Sequence, residues 1–167
     1  ADYFYARSRL HLTMRQTGPA LADLNESLRL DPMLAEARLR RAQLHATLSN
    51  RRDAQADLMH LDASLPESSG LRADMAQLHL GLGQATEALR QFDFWVTTHQ
   101  KDVRLADALN SRCWTRARLN IELPLALRDC QRAIDLVDTS AAYRDSLGWT
   151  YLRMGDAARA KKAFDGA

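Results

Sequence analysis

The chain has 167 residues, a formal net charge of +2 and a hydrophobic share of 46%. That length suits one domain, and only 7 glycines and 4 prolines leave long stretches open to helix. No run of about 18 apolar residues is present, which excludes a membrane-spanning helix.

Alanine sets a period. Ala20, Ala54, Ala88, Ala126 and Ala160 are separated by 34, 34, 38 and 34 residues. The period divides a single domain, 1–167, into units 1–34, 35–68, 69–102, 107–140 and a truncated 141–167. Each unit reads as two helices. The first pair is predicted over 2–14 and 18–31 and is closed by Pro32, which lacks the amide a helix needs to continue. The second, 35–48 and 52–64, is closed by Pro66; Asp62 stands at a place that is usually apolar, so its second helix is expected to be the least typical. The third spans 70–82 and 85–99, with Trp95 where alanine is usual. Four extra residues around Val103–Ala106 follow, and they predict a longer helix or an altered crossing angle rather than a domain break. The fourth pair, 104–119 and 123–137, carries Trp114 where a small residue is expected. It ends without proline, and Asp138-Thr139-Ser140 is expected to cap the next helix. The fifth spans 140–154 and 157–167. The chain stops inside that tenth helix, so a longer protein is expected. No secretory segment is visible at Ala1.

Small residues at the eighth place of a unit (Ser8, Ala42, Ala76, Gly148) and at the alanine places let two helices approach closely. Larger apolar residues at the twenty-fourth place (Leu24, Leu58, Phe92, Phe164) fill the space between pairs. The last unit is the clearest, with Leu147-Gly148-x-x-Tyr151, Gly155, Ala160-x-x-x-Phe164 and Ala167. Together with Gly83, Ala88 and Phe92 in the third unit and Ala126-Leu127 and Ala133-Ile134 in the fourth, it makes the chain resemble the tetratricopeptide-repeat family over essentially its whole length.

The resemblance implies an all-α, right-handed superhelical array of antiparallel helix pairs. It implies a protein–protein interaction module, an adaptor or scaffold that holds a peptide or helix in a concave groove lined by the first helix of each pair. Carried onto this chain, the groove places are Tyr5, Arg9, Arg40, Gln43, Asp74, Gln77, Arg112, Thr115, Arg118, Trp149 and Arg153. Arg112, Arg118 and Arg153 lie in the last two units with Trp149, and that end is the preferred pocket. An arginine grips a carboxylate with two parallel hydrogen bonds, and tryptophan offers a flat apolar platform. Across the groove places, Arg9, Arg40, Arg112, Arg118 and Arg153 stand against Asp2, Glu36, Asp74 and Asp145, a mixed surface rather than a basic trough. Arrays that hold the acidic tails of heat-shock chaperones use lysine, asparagine and arginine in the groove. Here Tyr5, Arg9, Arg40, Gly70 and Asp74 occupy those places, so no such clamp is expected.

Two other readings stay open. One is an accessory arm of a larger multidomain protein or enzyme. The other is a helical-repeat RNA binder, motivated by 20 arginines against 3 lysines but opposed by the mixed groove. The arginine excess also fits a GC-rich, bacterial gene, with cytoplasm and periplasm both open. Apolar surface near Phe164 is expected to offer a route to self-association through the C-terminal end.

Several residues invite chemistry. His11, His45 and His79 are each one repeat apart. Equivalent places on stacked pairs lie about 10 Å apart, too far to share one zinc ion bound at about 2.0–2.1 Å. They are expected to pack where the last unit has Tyr151, and no metal or cofactor is expected. Cys113 and Cys130 read as buried, reduced thiols, with a disulfide inside the helix pair as the alternative. No phosphate loop, nucleophile elbow or H-E-x-x-H motif is present. Gly81-x-Gly83 lacks the strand a dinucleotide site requires, and the carboxylates are scattered without an acid–base pair. Catalysis within the chain is therefore not expected.

Overall fold

The computed structural model describes residues 1–167 as ten helices without a strand: α1 Asp2–Thr13, α2 Thr17–Leu30, α3 Ala35–Thr47, α4 Arg51–Ser64, α5 Arg72–Gly81, α6 Ala85–Thr98, α7 Leu105–Leu119, α8 Leu123–Leu136, α9 Ala141–Arg153 and α10 Ala157–Asp165. Every predicted helix is present, with its ends within two residues of the expected ones. The chain falls into two compact units, Ala1–Leu71 with α1–α4 and Arg72–Ala167 with α5–α10.

The turn inside each pair follows one recipe. The first helix ends at a left-handed residue: Arg15 (φ 58°), Ser49 (62°), Gly83 (75°), Asn120 (57°) or Gly155 (81°). The next amide donates back to the carbonyl of His11, His45, His79, Arg116 or Tyr151, which satisfies an otherwise orphaned helix-end acceptor. Gly83 and Gly155 adopt this conformation without a Cβ clash, whereas Arg15 and Ser49 do not escape that cost.

Counting from the left-handed residue reveals a register shift. Five positions separate it from the following alanine in four pairs, but six separate Asn120 from Ala126. A second left-handed residue, Glu122 (φ 46°), takes up the surplus. The four extra residues are therefore split, three before α7 and one in the α7–α8 turn. The expected longer helix is there: α7 has 15 residues, and its start buries Leu105 and Ala106. The shift also corrects the reading of Trp114. Cys113, fully buried, holds the small-residue place of Ser8, Ala42, Ala76 and Gly148. Trp114 takes the next, outward place, the same one as Trp149.

In the first unit, Ala20, Leu24, Leu28, Ala37 and Leu44 form the core, with Tyr5, Leu12, Leu21 and Leu34 against it. In the second, Phe92, Trp95 and Val96 of α6 meet Leu105, Leu109 and Tyr143. Trp95 is fully buried. His99 stacks on it at 4.7 Å and the Arg104 guanidinium covers it at 5.1 Å. Gly148 lies under the Phe164 ring; a Cβ there would sit 2.5 Å from a ring carbon.

Cys113 and Cys130 are joined in a disulfide, with Cα atoms 5.5 Å apart, which corrects the expectation of reduced thiols. Both are fully buried between α7 and α8, at a separation that suits a bridge. The capping expectation is also corrected. Ser140 occupies the N-cap of α9, but its side chain accepts no bond there, whereas Asp156 does cap α10 by accepting from the Arg159 amide.

The carboxylates are less scattered than the sequence suggests. Place 23 of each of the first four units, on the second helix, holds a buried acceptor: Asp23, Asp57, Gln91 and Asp129. Arginines from the first helix meet it. Arg7 forks onto Asp23 at 2.8 and 2.6 Å, and Arg41 onto Asp57 at 2.9 and 2.7 Å, with Arg38 adding a bond at 3.2 Å. Arg72 donates to Gln91 at 2.6 Å. Arg112 forks onto Asp129 at 2.7 and 2.6 Å, and Arg116 adds a third bond at 2.6 Å. Such forks fix helix against helix with both charge and geometry.

Candidate functional site

Within the second unit, α7 and α9 lie side by side and present a cleft of about 140 Å³ lined by Trp114, Ala117, Arg118, Trp149 and Arg153. Helical spacing explains the set, since residues three and four apart share a face. Trp114, Ala117 and Arg118 do so on α7, and Trp149 and Arg153 on α9. Ala117, 1% exposed, forms the floor. The two tryptophans meet edge to face, with ring centroids 6.1 Å apart and planes at 78°. They remain 37% and 43% exposed, so the aromatic pair is on the surface rather than in the core. Arg118 and Arg153 are exposed, and neither has an ion-pair or side-chain hydrogen-bond partner within the chain. Leu152 of α9 and Met154 just beyond its end are also exposed apolar residues.

The sequence places Arg118, Trp149 and Arg153 in one pocket, and the structure brings these three together. It does not bring Arg112 or Thr115 to them. Arg112 points to α8 and α6: besides Asp129 it donates to Asp93 at 2.9 Å, and its side chain is 13% exposed. Burial opposes charge on this guanidinium, yet its hydrogen bonds to Asp129 and the charges of Asp129 and Asp93 outweigh that and raise its pKa. Thr115 is 1% exposed and spends its hydroxyl on the Ser111 carbonyl at 2.6 Å. Both misplacements have one cause, the extra residue in the α7–α8 turn, which turns α7 by one position. The same shift hid Trp114, whose pairing with Trp149 was legible only with the turn in view.

Gln77 of α5 is exposed and donates to the Ser111 hydroxyl at 2.9 Å, tying α5 to α7. Asp74 lies 3.5 Å from Arg104. In the first unit Arg9 and Arg40 line one recess of about 590 Å³ with Leu10, Leu12 and Thr13. Both arginines are exposed. Tyr5 is half-buried against the core of that unit, and Gln43 is half-buried on α3. Neither lines that recess.

The three repeat-spaced histidines sit at the ends of first helices. His11 and His79 hydrogen-bond through Nδ1 to Gln16 at 2.7 Å and Gln84 at 2.9 Å, while Nδ1 of His45 is buried and has only Asp53 at 4.0 Å. No group of three metal-binding side chains converges, and no helix is long and apolar enough to cross a membrane. Phe164 is 37% exposed, but its ring is committed to Gly148.

No protein-family model matches the chain, and no curated protein matches it. Solved structures do. The chain superposes on MamA (41-end) from Desulfovibrio magneticus RS-1 with a TM-score of 0.82 at 20% identity, covering 98% of this chain and 90% of that one. YrrB, described as a TPR protein with an unusual peptide-binding site, gives 0.82 at 18% identity over 98% and 82%. PilW, a type IV pilus biogenesis factor, gives 0.76 at 18% over 98% and 76%. The fold is that of the tetratricopeptide-repeat proteins, all-α and built of helix pairs.

Proposed function

We propose that the chain is a protein-interaction module that binds a polypeptide segment across the first-helix face of its second unit, with the α7–α9 cleft as the anchor. One observation carries this reading: an exposed, edge-to-face tryptophan pair flanked by two arginines that no acid of the chain engages. Arginines that serve the fold here are paired with buried acceptors, as Arg7, Arg41 and Arg112 are. Arg118 and Arg153 are left for an external acceptor, and tryptophan and arginine are the residue types that dominate binding hot spots. At about 140 Å³ the cleft holds one side chain rather than a whole metabolite, whose pockets run to about 300–1,000 Å³. The ligand is therefore read as a polymer that crosses the cleft. The peptide-binding site ascribed to YrrB supports this by likeness of fold alone. We read the chain as a binder rather than an enzyme, and as binding protein rather than nucleic acid.

The test uses the chain as bait in a lysate, beside the Arg118→Ala, Trp149→Ala, Arg153→Ala triple variant. All three side chains are exposed, so the variant is expected to fold. A specific partner is expected to bind the unaltered chain and to be weakened at least about tenfold by the triple variant. Equal capture by both would remove the cleft from the reading. Loss of capture on nuclease treatment would move it to nucleic acid.

A further inference from the structure

The fifth repeat breaks the rule that the other four obey, and a pocket lies at the break. Place 23 carries Asp23, Asp57, Gln91 and Asp129 in turn, but in α10 it is Ala163. The arginine is still there. Arg144 sits at place 4 of its unit, as Arg38 and Arg72 do in theirs. Those two reach the place-23 acceptor, Arg38 to Asp57 at 3.2 Å and Arg72 to Gln91 at 2.6 Å. Arg144 has no acceptor within the chain. Around it α8, α9 and α10 form an open pocket of about 350 Å³, lined by the apolar Ile134, Leu147 and Tyr151 and by three cations, Arg144, Arg159 and Lys162, with no acid among its lining residues. Arg159 is partly neutralised by Asp156 at 2.5 Å, outside that lining.

We propose that this pocket binds a carboxylate side chain of a partner polypeptide, which takes the station that Asp23, Asp57 and Asp129 fill from within. The partner chemistry follows from the lining. A glutamate or aspartate would accept from Arg144 and lie near Lys162, and an adjoining apolar residue would cover Leu147 and Tyr151. Arginine forks are suited to such an acceptor, and charge-assisted bonds of this kind are about twice as strong as neutral ones. The site is separate from the α7–α9 cleft, shares no lining residue with it, and stands whether or not the cleft binds.

The test is a fluorescence-anisotropy titration with a labelled helical peptide carrying glutamates and leucines at i, i+4 spacing, and with its glutamine counterpart. The 167-residue chain is expected to bind the glutamate peptide about tenfold or more tighter than the glutamine peptide, since a charge-assisted hydrogen bond is stronger than a neutral one. The Ala163→Asp chain supplies the missing acid itself. It is expected to unfold at a higher urea concentration than the unaltered chain and to lose the glutamate peptide. Arg144→Gln is expected to lose the peptide without that gain in stability, and Trp149→Ala is expected to keep it. Equal affinity for the two peptides would overturn the proposal. So would an Ala163→Asp chain that binds as well as the unaltered one or is no more stable. Loss of the peptide in Trp149→Ala alone would place it in the cleft and overturn this site while leaving the cleft reading intact.

Discussion

In the α7–α8 pair the two helices are joined twice, by the Cys113–Cys130 disulfide and by Asp129, which takes two bonds from Arg112 and one from Arg116. Asp93 of α6 and Glu122 of the turn extend the network to the outer sides of the same arginines. In the α9–α10 pair there is neither bridge nor buried acid. Gly148 and Phe164 bring those helices together by shape, and the charged place is empty. The two pairs share a backbone plan and differ in what holds it. Where the chain supplies its own acid, the arginines are part of the fold. Where it does not, an arginine is left for something else. The disulfide closes a loop of 17 residues, a length for which chain-entropy arguments give about 3 kcal/mol.

The largest effect should come from removing that acid. Asp129→Ala leaves Arg112 and Arg116, 13% and 6% exposed, without their buried partner. Breaking a buried pair from one side costs about 3–5 kcal/mol when the remaining charge is uncompensated, and Asp93 and Glu122, which still accept from these arginines, should hold the loss at or below the lower end of that range. Urea unfolding of the variant with the disulfide intact would show it. A loss below about 1 kcal/mol would mean that Asp93 and Glu122 alone suffice, and that the contrast between the two pairs is geometric only. Arg112→Met and Arg116→Met with Asp129→Leu, which removes the acid together with both arginines that donate to it, should cost less than Asp129→Ala alone.

The positions of the helices were legible because the 34-residue period, Pro32, Pro66 and the turn glycines all mark the same boundaries. The orientation of α7 was not. A gap of 38 looks like one insertion of four residues, and nothing in the spacing says that three fall before the helix and one after it. The local cue was Asn120, a residue that tolerates the left-handed conformation, standing one position before the turn residue of the other pairs. That one position moved Arg112 and Thr115 out of the site and Trp114 into it, while Arg118, Trp149 and Arg153 survived it. The buried acids were in view as well. Asp23 and Asp57 are 34 apart and each follows its forking arginine, Arg7 or Arg41, by 16 residues, but the series is broken in the third unit, where Gln91 replaces the acid and Arg72 comes from place 4. Cysteine spacing by itself does not separate facing thiols from a disulfide, and here only the approach of α7 to α8 decides it.

A middle-sized effect is expected on the other side of the comparison. Gly148→Ala would place its Cβ 2.5 Å from the Phe164 ring, and overpacking of a tight contact costs about 1–3 kcal/mol. The cost belongs to shape, so it should be the same at low and high salt, unlike an effect carried by charge. Phe164→Leu in the same chain should relieve the clash, making the double variant more stable than the sum of the two single losses. Strict additivity would show that α10 moves aside freely and that the pair is not held by this contact.

The smallest effect is a titration, and it asks whether an acid station can be turned into an empty one in place. Asp23 is the simplest station, met by a single fork. Its hydrogen bonds to Arg7 outweigh its burial and hold the carboxyl below its ordinary value of 3.8, with the charges of Arg7 and His11 adding to the shift. A depressed carboxyl contributes stability that is complete above the unfolded-state pKa and is lost as pH falls through the folded one. Asp23→Asn keeps the shape and cannot ionise. The unaltered chain should therefore exceed it in stability at neutral pH, and the margin should close as the pH falls below the ordinary carboxyl value of 3.8 and through the folded-state value beneath it. The margin should be modest, because the Arg7 side chain is 43% exposed and water screens part of the pair. Urea midpoints of the two chains across that range would read it. A margin that does not change with pH would mean that Asp23 holds α1 to α2 by hydrogen-bond geometry rather than by charge, and Ala163 would then differ from it in shape alone.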